Sequence, residues 1–405
     1  MTDLVRRRLL QGLGAGLLAG GLPAQLWAAP AAAPRLLLVF LRGAYDATSV
    51  LVPYRSDDYY RLRPNIAIAT PDTDNPAAAL QLDDQWGLHP ALQDSLYPLW
   101  QAGELAFVPF VGTDDTSRSH FETQDRIEAG LPDTASLASH SGFLGRLSRV
   151  LQTTPGIAFT AALPAVFAGG DRIPNLALRD AATAPFDPRQ SGLLADLYRG
   201  HPLEDRVRAG LEMRQDVARM LAGDMQAASR GAVSSAAFEQ QARRMATLMR
   251  DQYRLGFVDV GGWDTHVNQG GAQGQLAGLL GNLGRGLAAF RDELGTPAWR
   301  DTVVVVMSEF GRTFRENGNR GTDHGHGTVY WVMGGSVRGR QIAGRQIALS
   351  EATLFQNRDY PVLNEYRGVL GGVLKTHYRL NDRQLAAVFP GAAPLDLGLL
   401  DLKRL

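Results

Sequence analysis

Cysteine is absent from the 405-residue chain, which excludes disulfides, thiolate nucleophiles and Cys-ligated metal centres. Excess charge is absent too, since 41 Lys and Arg balance 41 Asp and Glu. A surface that neutralises a run of phosphates needs surplus cations, so nucleic acid is not an expected partner. Beyond the N-terminal leader, no stretch reaches the roughly 18 consecutive apolar residues of a membrane span, and no repeat of fixed period is visible. No Pro- or Ser-rich linker separates two cores, so residues 34–405 are expected to form one domain. The apolar content of 45% with 20% charged residues is ordinary for a globular protein and excludes disorder over most of the chain.

The chain opens with Arg6-Arg7-Arg8-Leu9-Leu10-Gln11, an apolar Gly/Ala-rich run from Gly12 to Trp27, and Ala28-Ala29-Pro30-Ala31-Ala32-Ala33. This order reads as a twin-arginine signal peptide over residues 1–33, with cleavage between Ala28 and Ala33. The rest, without Asp3 and the three arginines, is close to neutral. A chain exported by this route is expected in the periplasm or outside the cell, without a stable span once the leader is removed. The route carries folded proteins, and the absence of cysteine fits it.

Amphipathic helical stretches alternate with short apolar β-rich runs, the mark of βαβ units. Strands are expected at Leu36–Leu41, Leu105–Val111, Gly156–Thr160, Ala165–Phe167, Leu255–Val260, Thr302–Met307 and Val329–Met333. Helices are expected at Pro90–Gln101, Phe121–Ala129, Gly142–Leu151 and Gln273–Leu294, with a mostly helical insertion over about residues 187–254. The continuous apolar strands predict a doubly wound, largely parallel α/β sheet buried by helices on both faces.

In such sheets ligands bind at the carboxyl ends of the strands. Polar residues collect there: Asp46 after the first strand, Ser117, Arg118, Ser119 and His120 after the second, Asp264 and His266 after Leu255–Val260, and Glu309 and Arg312 after Thr302–Met307. His324 and His326 follow on the next loop. Asp264/His266 and His324/His326 share an i, i+2 spacing that points both side chains of an extended segment to one side. Imidazole and carboxylate are ordinary ligands of zinc or manganese, so one divalent metal is expected; the structural alternative is a capping Asp264 and histidines on a turn. Asp46 reads as a ligand or as a turn former, and Glu309 as a ligand or as the ion-pair partner of Arg312. Ser119-His120-Phe121-Glu122 fits a capping box. Ser117 or Ser119 also reads as a nucleophile, with His120 beside them as a further catalytic residue and Arg118 or Arg312 steadying an oxyanion. His89, His140, His201 and His377, like Trp263 and Trp331, read as surface or packing residues.

The twin-arginine leader, Phe40-Leu41-Arg42-Gly43-Ala44-Tyr45-Asp46, Arg118-Ser119-His120-Phe121, Gly261-Gly262-Trp263-Asp264-Thr265-His266 and Ser308-Glu309-Phe310-Gly311-Arg312-Thr313 together resemble the bacterial secreted family known as domain of unknown function 1501. That family looks like a remote branch of the alkaline phosphatase and sulfatase superfamily. The resemblance implies an alkaline-phosphatase-like fold with metal-binding Asp and His and a Ser or Thr nucleophile on strand-end loops. Carried over, it implies Asp46 as the first-strand ligand, Ser117 or Ser119 as the nucleophile, and Asp264, His266 and His324 or His326 as ligands of one metal. Glu309 would stand where the superfamily has the Asp of an Asp-His pair, but Phe310 follows it, so a second metal loses its histidine. Two functions follow as expectations. One is metal-dependent hydrolysis of phosphate or sulfate esters, with an anionic ester as substrate and a metal-activated Ser or water as nucleophile. The other is a non-catalytic envelope protein that binds a glycan or a protein partner. A redox enzyme has little support, since no Gly-x-Gly-x-x-Gly follows a strand.

Overall fold

The strand Arg35–Leu41 (β1) is buried along its whole length, and its apolar side chains from Leu36 onward alternate between two cores. Leu37, Val39 and Leu41 face one core with the helices Ala237–Asp251 and Gln275–Leu294. Leu36, Leu38 and Phe40 face the other, with Phe143–Leu151, Tyr366–Tyr378 and Asp382–Val388. A strand buried on both faces has to lie inside a sheet that is covered on both sides. In this computed structural model, which describes residues 34–132, 141–170, 173–177, 196–209, 211–212 and 237–401, β1 is such a strand. Residues Pro34–Leu405 form one compact unit.

The further strands are Leu51–Val52 (β2), Leu80–Gln81 (β3), Gly87–Leu88 (β4), Leu105–Gly112 (β5), Gly156–Ala158 (β6), Leu255–Val260 (β7), Thr302–Met307 (β8), Thr328–Met333 (β9) and Asn364–Glu365 (β10). The main sheet has the order β10-β5-β9-β8-β1-β7-β6, while β2, β4 and β3 form a small separate sheet. β1 pairs in parallel with β7 and β8, and β6 with β7. β9 runs antiparallel to both of its neighbours, β5 and β8. The sheet is therefore mixed but largely parallel, and the protein is α/β with helices on both faces.

The long apolar strands fall within a residue or two of their expected bounds, and two expectations are corrected. Ala165–Phe167 is a turn of 3₁₀ helix after Pro164 rather than a strand, with Val166 and Phe167 buried and the Val166 N–H donated to Glu128 Oε2 at 2.9 Å. A short apolar run does not by itself separate strand from turn. Pro90–Gln101 divides into a 3₁₀ turn, Pro90–Leu92, and a helix, Tyr97–Gln101. Pro98 lacks an N–H and is accommodated only in a first turn, so the helix begins beside it. The run Val329–Met333 is a strand, but it is reversed. The insertion expected over residues 187–254 lies largely outside the described residues, except for the Ala237–Asp251 helix and short pieces near residues 196–212. Residues 1–33 and His140 also lie outside them. Among the described residues, no helix is long and apolar enough to cross a membrane.

The topology positions the site. β1, β5, β7 and β8 all end at one edge of the sheet, and the reversed β9 begins there. The connection from β8 into β9 thus meets the loops leaving β1, β5 and β7.

Candidate metal centre

Three imidazoles converge on one carboxylate oxygen at this edge. Asp264 Oδ1 lies 2.9 Å from His266 Nε2, 3.3 Å from His324 Nε2 and 3.6 Å from His120 Nε2. His324 Nε2 is itself 3.0 Å from His120 Nε2 and 3.1 Å from His266 Nε2. His120 comes from the loop after β5, Asp264 and His266 from the loop after β7, and His324 from the loop into β9.

The other ring nitrogens decide what these contacts mean. His120 Nδ1 lies 2.7 Å from Glu309 Oε1, His266 Nδ1 3.2 Å from Asp323 Oδ1, and His324 Nδ1 3.0 Å from the Arg118 carbonyl oxygen. Carboxylates and carbonyls only accept, so each Nδ1 carries the proton and donates. In the neutral rings the three Nε2 atoms then present lone pairs. Lone pairs 3 Å apart repel unless a cation or a proton lies between them. Carboxylate and carbonyl acceptors behind the Nδ1 atoms are the usual outer support of metal-bound histidine. Asp264, His120 and His324 each place one donor atom within 4.8 Å of the others, a spacing that fits a single divalent ion, and His266 Nε2 adjoins Asp264 and His324.

Charge is distributed to match. His120 titrates above the ordinary imidazole range because Glu309 accepts its Nδ1 proton, which outweighs its partial burial. His324 titrates below that range, because burial disfavours its cation. Burial works to raise the pKa of Glu309, but bonds from His120, Gln124 and the Gly43 N–H hold it below the usual carboxylate range. Burial also opposes ionisation of Asp264, and the adjoining Arg312 overcomes it and lowers the Asp264 pKa.

Two glycines permit the close approach of the loops. Gly43 has φ +114°, and a Cβ there would lie 2.9 Å from the Asp264 nitrogen. A Cβ on Gly321 would lie 2.2 Å from the His266 carbonyl oxygen. Phe310, buried after Glu309, stacks on His120 with centroids 4.9 Å apart and borders His324 at 5.4 Å.

Asp264, His266 and His324 thus meet as the sequence suggested, and His120, expected as a catalytic residue, stands among the donors. The remaining candidates have other places. Asp46 is fully buried and bonds Arg63, with Nη1 to Oδ2 at 2.6 Å and Nη2 to Oδ1 at 3.0 Å, and it also accepts from Ser49 and Gln269. It forms a buried ion pair, not part of the donor cluster. Glu309 is neither the ligand nor the partner of Arg312; it holds His120. His326 does not follow His324 into the cluster but packs on Phe355, with ring centroids 4.8 Å apart. Ser119 caps the helix His120–Ala129, accepting from the Glu122 N–H, and Ser117 donates to Asp115 Oδ2 at 3.1 Å.

The two arginines are engaged as well. Arg312 donates to the carbonyls of Gly43, Ala44, Trp263 and Thr322, to Asp264 and, at 3.4 Å, to His266 Nε2, tying the loops after β1 and β7 to its own. Arg118 donates from Nε and Nη2 to Asp359 Oδ2 and from Nη2 to Gln356. Asp323, Gln124 and Asp359 were not singled out in the sequence, where each is an isolated polar residue without a motif.

No curated protein sequence matches the chain. Among solved structures it is similar to a protein in the alkaline phosphatase superfamily from Vibrio parahaemolyticus, at 12% identity and a TM-score of 0.35, over 76% of this chain and 62% of that one. It is also similar to Ps i-CgsB in complex with k-i-k-neocarrahexaose, at 10% identity and a TM-score of 0.38, over 90% of this chain and 74% of that one. The chain thus spans less than two thirds of the length of the first of these structures. Residues 33–389, most of the chain and all four donors included, match the family described as "Protein of unknown function (DUF1501)", and the chain belongs to that family.

Proposed function

We propose that the cluster is a mononuclear metal centre of zinc or manganese type, serving a hydrolase of phosphate or sulfate esters exported through its twin-arginine leader to the periplasm or beyond. The observation that carries this reading is the aim of three Nε2 lone pairs at one carboxylate oxygen, with every Nδ1 proton already spent. A divalent ion bound there supplies Lewis acidity to polarise an ester oxygen. The protein's own part is orientation: Glu309, Asp323 and the Arg118 carbonyl fix the three rings, and Arg312 fixes Asp264. The hydroxyls of Ser117 and Ser119 are turned to Asp115 and to the helix cap, which favours water over serine as the nucleophile. A second reading, an envelope protein that binds a glycan or a protein partner without turnover, draws on the engagement of Arg118 and Arg312. Neither guanidinium is left over for an anionic ester.

Plasma mass spectrometry of protein purified without chelator tests the metal centre. About one equivalent of metal is expected, lost in Asp264→Ala, His266→Ala and His324→Ala and retained in His326→Ala. Turnover of aryl phosphate and aryl sulfate esters, abolished in the first three variants, separates the hydrolase from the binding protein. Folded protein that takes up no zinc or manganese would overturn both the centre and the hydrolase.

A further inference from the structure

Arg118 is a bulky residue in left-handed backbone, at φ +54°, immediately before the helix-capping Ser119. This region suits glycine and is unfavourable for arginine, so something has to hold the residue there. Its carbonyl oxygen is the acceptor for His324 Nδ1. Its side chain reaches Asp359, with Nη2 at 2.7 Å and Nε at 3.1 Å from the same Oδ2. That carboxylate has no exposed side-chain surface, and its Oδ1 has no partner among the described residues. Arg358 also reaches Oδ2, at 3.3 Å. Asp359 is fixed in turn by two backbone bonds with Phe355, and Phe314 N–H donates to Arg358, which joins this segment to the loop after β8.

We propose that Asp359 is a positioning residue: by latching the Arg118 side chain it keeps Arg118 left-handed, and so aims the carbonyl that holds His324 in its Nδ1–H, metal-accepting tautomer. The inference deepens the metal-centre reading and rests on His324 as a ligand. It gives the strained backbone a purpose.

The test combines cobalt(II) titration, followed by its visible absorption, with ¹⁵N NMR of the histidine rings in metal-free protein. Asp359→Ala is expected to weaken cobalt binding about 10- to 100-fold, the range for lost outer-sphere partners, and to shift His324 out of the Nδ1–H tautomer. The double variant Arg118→Gly/Asp359→Ala is expected to recover most of both, because glycine adopts the left-handed conformation without a latch. Should Asp359→Ala not fold, Arg118→Ala and Arg118→Gly make the same comparison, with only glycine retaining the tautomer. Unchanged affinity and unchanged His324 nitrogens in Asp359→Ala would overturn the latch, as would a glycine variant that restores neither. Wild-type protein that binds no cobalt would sink the metal centre, while the nitrogen spectra of metal-free protein would still decide the latch.

Discussion

In the proposed metal centre, His120 and His324 would exchange a shared proton for the ion. In metal-free protein a proton on His120 Nε2 can be donated to His324 Nε2, and Glu309 stabilises the resulting cation. Metal has to displace that proton, so affinity is linked to pH. His120 titrates above the ordinary imidazole range, so competition persists to higher pH than for a free histidine. Affinity is expected to rise with pH until His120 is neutral and then to level off. In Glu309→Gln the rise should move to lower pH. Isothermal titration with zinc across pH 5.5–8.5 reads both, and a flat profile would separate His120 from the binding event. The same residues show the limits of the sequence. Asp264 and His266 were legible because i and i+2 fall together, although the segment is tightened by backbone bonds from Thr265 N–H to Trp263 and from His266 N–H to Asp264 rather than extended, with Thr265 turned to Gln269. For His324 and His326 that rule failed, since Phe355, distant in sequence, draws His326 away. Glu309 was visible as a costly carboxylate at a strand end, but its use as support for His120 depends on a helix 189 residues away in sequence.

Among the elements, the buried strands were the most legible, because an apolar run covered on both faces needs no partner to be recognised. The direction of β9 was not, since Val329–Met333 carries the same signal either way and its orientation is set by the connection from β8. Asp46 and Arg63 belong to this scale, because their pair locks the loop after β1 to the loop after β8. Arg63 also donates to the carbonyls of Thr313 and Phe314. Both side chains are wholly buried, so Arg63→Met strands a carboxylate in the interior and is expected to cost about 3–5 kcal/mol. Asp46→Asn/Arg63→Met should recover part of the loss, as urea denaturation would show. Burial opposes ionisation of Asp46, and Arg63 overcomes it, so its pKa lies below the ordinary value of 3.8. The stability it contributes is therefore present above about pH 4 and lost as pH falls through the lower folded value. Arg63→Met should lack that part of the acid dependence.

At the scale of the whole molecule, an ion held by His120, Asp264, His266 and His324 would add a further tie among three loops that already meet through Arg312, Glu309, Asp323 and the Arg118 carbonyl. Binding to the folded state alone stabilises it by about 2.7 kcal/mol at a free ion concentration one hundred times Kd. Calorimetry with zinc and with chelator should show the metal-loaded protein melting several degrees higher, and the difference should vanish in Asp264→Ala. Equal melting of the wild type in both conditions would mean that the ion does not bridge the loops.

The place of β9 sets the order in which such a protein can be made. It is the strand that joins β10 and β5 to β8, β1, β7 and β6, and it is reached only after residue 327. Until the ribosome has delivered it, β5 stands unpaired apart from β8, β1, β7 and β6, β10 has not been made, and His324 is not yet beside His120, 204 positions upstream. An ion held by both His120 and His324 would thus be a passenger of the fold and not its seed, loaded only once β9 is in place.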